Sequence, residues 1–404
     1  MIPITNRANA TTVPQPTDPA SDFSLILGGP IFQLMLRSRL SGNGLELLHR
    51  RILVLAGLAW LPLLLLSLVG SDATSAALPF VRDIEAHVRL LVALPALIIA
   101  EVIVHTRARP IVRAFLTRRI IDEHDEPRYI AAIQSAMRLR NSVPVEVVLL
   151  LFVLTVGHWL WRRQVALGAD TWYSVVQGGS QHLTAAGYWY AFVSIPIFQF
   201  VLLRWYLRLF IWFRFLWHVS RLKLHLIATH PDRAGGLGFL GHGAYAFSPI
   251  LFAQGALLAG LIANRVLYGG VDLMSFKMEA GGFIVFFLIV VLAPLLMFTP
   301  QLANAKRVGL RDYGLLASRY VEQFQRKWVD GGKADSDELL GSGDIQSLAD
   351  LGNSFSAVRE MRPIPFALSD VGRLALAAAL PLLPLGLVVF SFEELLIRIL
   401  GVLF

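Results

Sequence analysis

The sequence lacks cysteine altogether and carries little charge. Only 16% of its 404 residues are Asp, Glu, Lys or Arg, below the share of about 25% in a typical soluble domain. Without cysteine there are no disulfides, thiolate metal ligands or thiol nucleophiles, so any metal must be held by histidine and carboxylate groups. A GxSxG nucleophile elbow and a complete EF-hand loop are also missing. The sequence therefore identifies no catalytic residue and no cofactor, and it favours a non-enzymatic protein.

Apolar residues are abundant instead. They make up 55% of the chain, and the mean hydropathy is +0.60. A helix needs roughly 20 mainly apolar residues to cross a hydrocarbon core of about 30 Å. Seven segments meet this requirement: 52–70, 88–106, 144–161, 188–206, 247–266, 282–300 and 374–391. We predict an all-α, polytopic transmembrane helical bundle of about seven spans with cytoplasmic helical extensions.

Lysine and arginine are distributed unevenly among the connections between these spans. Of the 36 basic residues, 29 fall in the N-terminal segment and in 107–140, 204–233 and 306–373. Basic residues concentrate on the cytoplasmic side of membrane proteins. The pattern predicts a multi-pass protein of the bacterial inner membrane with a cytoplasmic N-terminus. The net charge of +8 is then explained by basic residues that set the membrane topology, which argues against nucleic-acid binding.

The same pattern divides the chain into five regions. Residues 1–22 are rich in Thr, Pro and Ala and predict a disordered tail, and 23–51 predict an interfacial or cytoplasmic segment. Residues 52–300 hold the first six spans with their cytoplasmic loops. Residues 301–372 form a cytoplasmic segment with helical patterns at 306–328 and 344–361. Residues 373–404 hold the last span and a C-terminal amphipathic helix.

Charged residues inside the predicted spans are the first candidate site. Glu101, Glu146, Arg204 and Arg208 all fall in the cytoplasmic leaflet when the spans alternate in direction. Ionisable side chains at this depth cost a few kcal/mol unless they pair or face water, so they usually face the bundle interior. They predict an ion pathway or a ligand vestibule. The alternative is a structural cluster that holds three helices together.

The fourth span carries a basic stripe. Its apolar pattern predicts a helix that continues to about residue 226. On a helical wheel one side holds Arg204, Arg208, Arg214, His218, Arg221 and His225. Around the axis of an oligomer these side chains would form basic rings that favour anions. The alternative is a stripe that lies under anionic lipid headgroups.

A glycine-rich loop at 230–242 follows this helix. Such a loop can bring backbone N–H groups close to an anionic group. The candidates for this role are His230, Asp232, Arg233, Gly235 and Gly236. Weaker candidates for a divalent metal site are His225, His230, Asp232 and His242, although their spacing matches no specific metal motif. A helix cap followed by a turn is the alternative role for the loop.

Two resemblances involve this region. The tripeptide His230-Pro231-Asp232 is similar to that of J-domain co-chaperones, but its flanks here are membrane helices, which excludes that family. The block 226–240 together with 344–351 resembles bacterial inner-membrane proteins that have no assigned function. This resemblance implies only a fold and a location.

The leading hypothesis is a homo-oligomeric membrane channel or transporter that conducts anions along the basic fourth helix. One alternative is a membrane-embedded enzyme that acts on a lipid or polyisoprenyl substrate at the cytoplasmic leaflet, with Glu101, Glu146, His230 and Asp232 as acid, base or metal groups. Another is a sensor or scaffold whose helices within 306–361 bind a partner. We expect membrane lipids, further copies of the chain and an ion or small molecule as partners.

Overall fold

The computed structural model describes residue 20 and residues 22–38, 47–69, 79–165, 171–177, 180–330 and 342–389. The predicted N-terminal tail, apart from Ala20 and Asp22, and the predicted C-terminal amphipathic helix lie outside the described residues. In chain order the helices are α1 (Pro30–Arg37), α2 (Leu48–Val69), α3 (Ile84–Thr117), α4 (Glu126–Arg140), α5 (Val143–Arg162), α6 (Ala185–Val219), α7 (Gly238–Leu267), α8 (Leu273–Trp328), α9 (Gly343–Glu360) and α10 (Leu368–Gly386). A two-stranded antiparallel hairpin, β1 (Ser174–Gln177) and β2 (Ser180–Leu183), lies between α5 and α6.

Seven of these helices are long and apolar enough to cross a membrane: α2, α3, α5, α6, α7, α8 and α10. The predicted all-α polytopic bundle is therefore confirmed. Their outward surfaces carry large exposed apolar side chains, such as Leu53, Leu65, Val148 and Phe286. Exposed apolar side chains at this density fit contact with lipid rather than with water.

The connections rich in basic residues meet on one side of the bundle, which we call the basic face. Ile121, just after α3, pairs with Leu224, just after α6. The side chain of Gln301 on α8 donates to the carbonyl oxygen of Ser220 at 2.6 Å. These contacts join the α3–α4 connection, the end of α6 and the exit of α8 from the spanning region.

Helix α6 ends at Val219, earlier than the predicted end near residue 226. The apolar pattern continues, but from Lys223 onward the backbone bonds to the α3–α4 connection instead of to α6. The amide of His225 donates to the Ile120 carbonyl at 2.8 Å, and the amide of Lys223 donates to the Asp125 carboxylate at 3.0 Å. Tertiary hydrogen bonds therefore override the helical periodicity.

Helix α8 continues without a break from the membrane into the basic-face region. It is 56 residues long, where the sequence predicts a span and a separate helix at 306–328. A 3₁₀ segment at Ala293–Phe298 marks the transition. Helix α9, predicted at 344–361, packs beside its far end, where the Tyr320 hydroxyl donates to the Asp344 carbonyl at 2.8 Å.

On the opposite face Asp83, just before α3, bonds to the segment that leads into the hairpin and to α7. The Asp83 carboxylate accepts from Trp172 Nε1 and from Asn264 Nδ2, both at 2.8 Å. Asp83 also accepts from the amide of Ala86, which caps the start of α3. This buried carboxylate thus has its partners within the chain and joins three segments.

Helix α7 lies close to α10 because a glycine removes the side chain at their contact. A Cβ atom built on Gly255 would lie 2.0 Å from the carbonyl oxygen of Ala378. Small residues at helix contacts allow membrane helices to approach closely and to pack by van der Waals contact. Gly255 therefore fixes how closely α7 and α10 pack.

Candidate functional site

Charged side chains from four spans meet inside the bundle near the basic face. We call them the arginine–glutamate cluster. The members are Arg51 of α2, Glu101 of α3, Glu146 of α5, and Arg204 and Arg208 of α6. Each side chain is at most 10% exposed, so the cluster belongs to the interior of a single copy of the chain.

The helices bring these groups together by simple spacing. Arg204 and Arg208 are four residues apart on α6 and therefore share one face of that helix. Glu146 lies in the first turn of α5, where the helix dipole favours a negative charge. Arg51 lies near the beginning of α2, and Glu101 lies within α3. The position at which each helix begins therefore brings these charged side chains to a similar depth in the bundle.

Glu101 is the central anion of the cluster. It pairs with Arg51 and also accepts from Arg208 Nη1 at 2.8 Å. The second anion, Glu146, lies 3.5 Å from Arg204 Nη2, which is longer than the 2.7–2.9 Å of a typical charge-assisted hydrogen bond. Two of the three arginines therefore share one carboxylate, and the third is paired loosely.

Among the residues that the structure describes, the charges of the cluster do not balance. Three arginines face two glutamates there, which leaves an excess of one positive charge in a region of low dielectric. Arg140, at the end of α4, adds to it. Burial and the positive charge of Arg208 lower the pKa of Arg140 to about 10, so this guanidinium is still protonated at neutral pH. The interior near the basic face is therefore electropositive.

Arg51 retains unused hydrogen-bonding capacity. The residue is 2% exposed and uses Nη2 on Glu101. Its Nε and Nη1 atoms are buried and have no hydrogen-bond partner among the described residues. A buried donor without a partner costs about 1–3 kcal/mol, and more when it is charged. The arrangement suits a small anion with several acceptor oxygens or a halide.

Residues 23–29 cover the cluster from the basic face. The Phe23 ring lies 5.4 Å from the Phe215 ring of α6, centroid to centroid. The Ser24 hydroxyl accepts from the amides at positions 26 and 27 and lies 2.9 Å from His105 Nδ1. Because both of its lone pairs are used, this hydroxyl donates its proton to His105. The segment is thus bound inside the bundle rather than along its surface.

The end of this segment reaches the cluster itself. Gly29 has a φ of +87°, and a Cβ atom at this position would lie 2.9 Å from Glu146 Oε1. The carbonyl of Ser24 accepts from Arg140 Nη1. Only glycine permits this approach of backbone to the carboxylate without strain. Residues 23–29 therefore separate the cluster from the basic face.

The glycine-rich loop after α6 has a different geometry. Its amide groups donate to the carboxylate of Asp232: Ala234 at 2.8 Å, Gly236 at 3.1 Å and Gly238 at 2.8 Å. His230 Nδ1 lies 2.9 Å from the same carboxylate. Burial alone would raise the pKa of Asp232, but the three amides and His230 hold it below its usual value. The amides that were candidates for holding an external anion are therefore bonded to a carboxylate of the chain.

The loop also contacts the segment that leads to α10. Arg233 pairs with Glu360 at 3.1 Å, and its carbonyl accepts from the amide of Arg362 at 2.7 Å. Gly235 has a φ of +63°, and a Cβ atom there would lie 3.0 Å from the Met361 side chain. The loop therefore connects the end of α6 to the end of α9.

The metal candidates do not converge. In the described part of the chain, no group of three or more His, Cys, Asp or Glu side chains has the geometry to hold a metal ion. His242 Nδ1 donates to the Gly238 carbonyl at 3.0 Å, and His225 is exposed. Only His230 lies against Asp232.

The structure brings four of the sequence candidates together: Glu101, Glu146, Arg204 and Arg208. Arg214, on the same helix, is partly exposed on the outside of α6. The loop residues His230, Asp232, Arg233, Gly235 and Gly236 form a separate group beside α9.

Sequence reasoning missed Arg51, Arg140 and Ser24. Arg51 immediately precedes the first apolar run, and that position was the available signal, because a basic residue there lies at the membrane boundary. Arg140 and Ser24 reach the site through tertiary packing, for which no sequence pattern exists.

Comparisons with family models, with curated protein sequences and with solved structures gave no match. The functional argument therefore rests on the geometry of the cluster.

Proposed function

We propose that the chain is an anion channel or transporter of the bacterial inner membrane, with its basic face in the cytoplasm. The arginine–glutamate cluster is the anion-binding site of the pathway. One observation carries this proposal: within the described part of the chain, the cluster has a buried excess of positive charge, and Arg51 keeps two nitrogen atoms without a hydrogen-bond partner.

The energetic argument favours a ligand. A net charge within the hydrocarbon region costs a few kcal/mol unless it is compensated. A bound anion neutralises the third arginine and accepts hydrogen bonds from Arg51. Rings or clusters of Arg and Lys are the usual means by which pores select anions.

The helices that supply the cluster also carry irregular turns. Short π-helical segments occur at Val88–Ala93 in α3, Val153–Gly157 in α5 and Tyr190–Ser194 in α6. Such segments interrupt the regular hydrogen-bond ladder and occur frequently at functional sites. They lie toward the opposite face from the cluster, along the same three helices, which supports a route between these helices.

The pathway runs through each copy, since Arg204 and Arg208 are buried within one bundle. In the proposed homo-oligomer, each copy therefore holds its own site instead of contributing to a shared central ring. Entry from the cytoplasm requires that residues 23–29 move away from the cluster.

Flux measurements on proteoliposomes test the proposal. Purified protein is expected to pass chloride, nitrate or phosphate and to exclude sodium and potassium. Arg208→Gln leaves two arginines facing two glutamates, so the bundle is expected to fold while anion flux falls at least about tenfold, the effect of about 1.4 kcal/mol. Arg51→Gln is expected to behave alike.

Arg326→Gln on α8 is the matched control, because this side chain is 79% exposed outside the membrane region. It removes the same charge and is expected to retain full flux. Monodispersity in gel filtration verifies folding of each variant. Absence of anion flux in the unaltered protein, or equal flux in Arg208→Gln and Arg326→Gln, contradicts the proposal.

A further inference from the structure

An aromatic groove lies between α6 and α8 on the membrane-facing surface. It has a volume of about 500 Å³ and is lined by Tyr206, Leu209, Phe210, Phe213, Phe286, Phe287 and Val290. Phe210 and Phe286, from the two helices, are 56% and 58% exposed. A concave apolar surface in this position accepts a hydrocarbon chain.

The groove has a fixed position relative to the basic face. The Gln301 side chain joins α8 to the end of α6 through the Ser220 carbonyl at 2.6 Å. Trp217, two turns beyond Phe210, is 42% exposed. Exposed tryptophan marks the boundary between hydrocarbon and headgroups, so the groove opens toward the headgroup region of the leaflet at the basic face.

Two arginines follow Phe210 in the chain, toward that end of the groove. Arg214 follows Phe210 by four residues and is therefore on the same side of α6. Arg221 follows the end of α6, and its guanidinium lies over the Trp217 ring, 5.4 Å from the centroid. Within the described chain, neither arginine has a carboxylate within 4.0 Å. An apolar groove followed by two cations that have no acidic partner among the described residues matches a ligand with an acyl chain and a negative headgroup.

We propose that this groove binds one anionic phospholipid from the leaflet at the basic face. Its acyl chain lies against Phe210 and Phe286, and its phosphate lies between Arg214 and Arg221. Guanidinium groups recognise phosphate with paired hydrogen bonds. A zwitterionic lipid brings its own cation to the same place, so the two arginines select a headgroup with net negative charge.

This site is separate from the arginine–glutamate cluster and does not depend on anion transport. Arg204 and Arg208 face the interior, whereas Arg214 lies on the outer side of the same helix. Lipid binding is measured without flux, so a failure of either proposal leaves the other unaffected.

Native mass spectrometry of the purified full chain tests the site, with phosphatidylglycerol and phosphatidylcholine as probes. The protein is expected to retain phosphatidylglycerol preferentially. Each of Arg214→Gln and Arg221→Gln is expected to reduce that preference about fivefold, which corresponds to about 1 kcal/mol for a basic residue near anionic headgroups. Phe210→Ala is expected to weaken retention of both lipids, because the acyl-chain contact does not depend on the headgroup.

The double variant Arg319→Gln/Arg326→Gln is the matched control. Both side chains are exposed on the part of α8 outside the membrane region, so the same loss of charge should leave lipid selectivity unchanged. Equal retention of the two lipids, or a preference that survives Arg214→Gln/Arg221→Gln, overturns the proposal. A third outcome also overturns it: the purified protein is a dimer, Phe210→Ala abolishes the dimer, and neither lipid is preferred. The occupant of the groove is then a second copy of the chain.

Discussion

Glu101 pairs with two arginines of the arginine–glutamate cluster. Its two carboxylate oxygens face separate arginines, Arg51 on α2 and Arg208 on α6. Removing one member of a buried ion pair leaves an uncompensated charge, which costs more than the pair contributes. In this cluster the loss of the Glu101 carboxylate leaves two buried arginines without that ion-pair partner.

Glu101→Gln is therefore expected to lower the free energy of unfolding by about 3–5 kcal/mol. Denaturant unfolding in detergent micelles measures the loss. Glu322→Gln is the control, since Glu322 is 69% exposed and lies 4.0 Å from Arg326; its effect is expected to stay within about 0.5 kcal/mol. Equal stability of the two variants is incompatible with the pairing described for Glu101.

The residues of the site differ in how far the sequence determines them. Glu101, Glu146, Arg204 and Arg208 are detectable because each interrupts an apolar run, and charge inside a span indicates a site or a pair. Their pairing is not detectable, because it depends on how four helices rotate against each other. The alternative structural role for this cluster and the proposed anion site share the same ion pairs, and anion flux is the measurement that separates them.

At the scale of elements, the contact between α7 and α10 rests on a missing side chain. Gly255 lies where a Cβ atom would meet the Ala378 carbonyl at 2.0 Å. Backbone atoms on the facing helix cannot rotate away as a side chain can, so any larger residue separates the helices.

Gly255→Ala is expected to destabilise the protein by about 1–3 kcal/mol through overpacking. Gly57→Ala on α2 is the matched control, because a Cβ atom there meets nothing within 4 Å. It should be neutral or stabilising by up to about 1 kcal/mol through helix propensity. Thermal unfolding in detergent compares the two. A smaller loss at Gly255 than at Gly57 would show that α7 and α10 are not in close contact.

The sequence predicts the membrane spans correctly but not the end of α6 or the hairpin. Hydropathy predicts all seven spans because span length is fixed by the thickness of the bilayer. It misplaces the end of α6, since residues 220–226 keep an apolar pattern while Lys223, Leu224 and His225 bond to the α3–α4 connection. The hairpin was also missed, although Gly178-Gly179 between two short polar and β-branched runs is a recognised turn signal.

For the molecule as a whole, the orientation in the membrane is the property on which the location of every proposed site depends. The basic face carries the α3–α4 connection, the loop after α6 and α9. The opposite face carries the hairpin and the connection between α7 and α8. In our proposal the basic face lies in the cytoplasm, the orientation that the positive-inside rule favours.

Cysteine labelling tests this orientation without background, because the chain has no cysteine. Glu123→Cys on the basic face and Asp272→Cys on the opposite face both replace exposed residues. In intact cells a membrane-impermeant maleimide is expected to modify Asp272→Cys only. After lysis it is expected to modify both variants. Labelling of Glu123→Cys from outside intact cells would reverse the proposed orientation.

Helix α8 extends far beyond the membrane region, so a small bend near the membrane surface displaces its far end over a much larger distance. Beyond the 3₁₀ segment at Ala293–Phe298, the helical portion Thr299–Trp328 has 30 residues and extends about 45 Å at 1.5 Å per residue. A bend of about 10° at that segment displaces the tip near Trp328 by about 8 Å over this arm. The beginning of α9 is bonded to the tip through Asp344, whereas its end is bonded to Arg233, so such a bend would displace one end of α9 relative to the other.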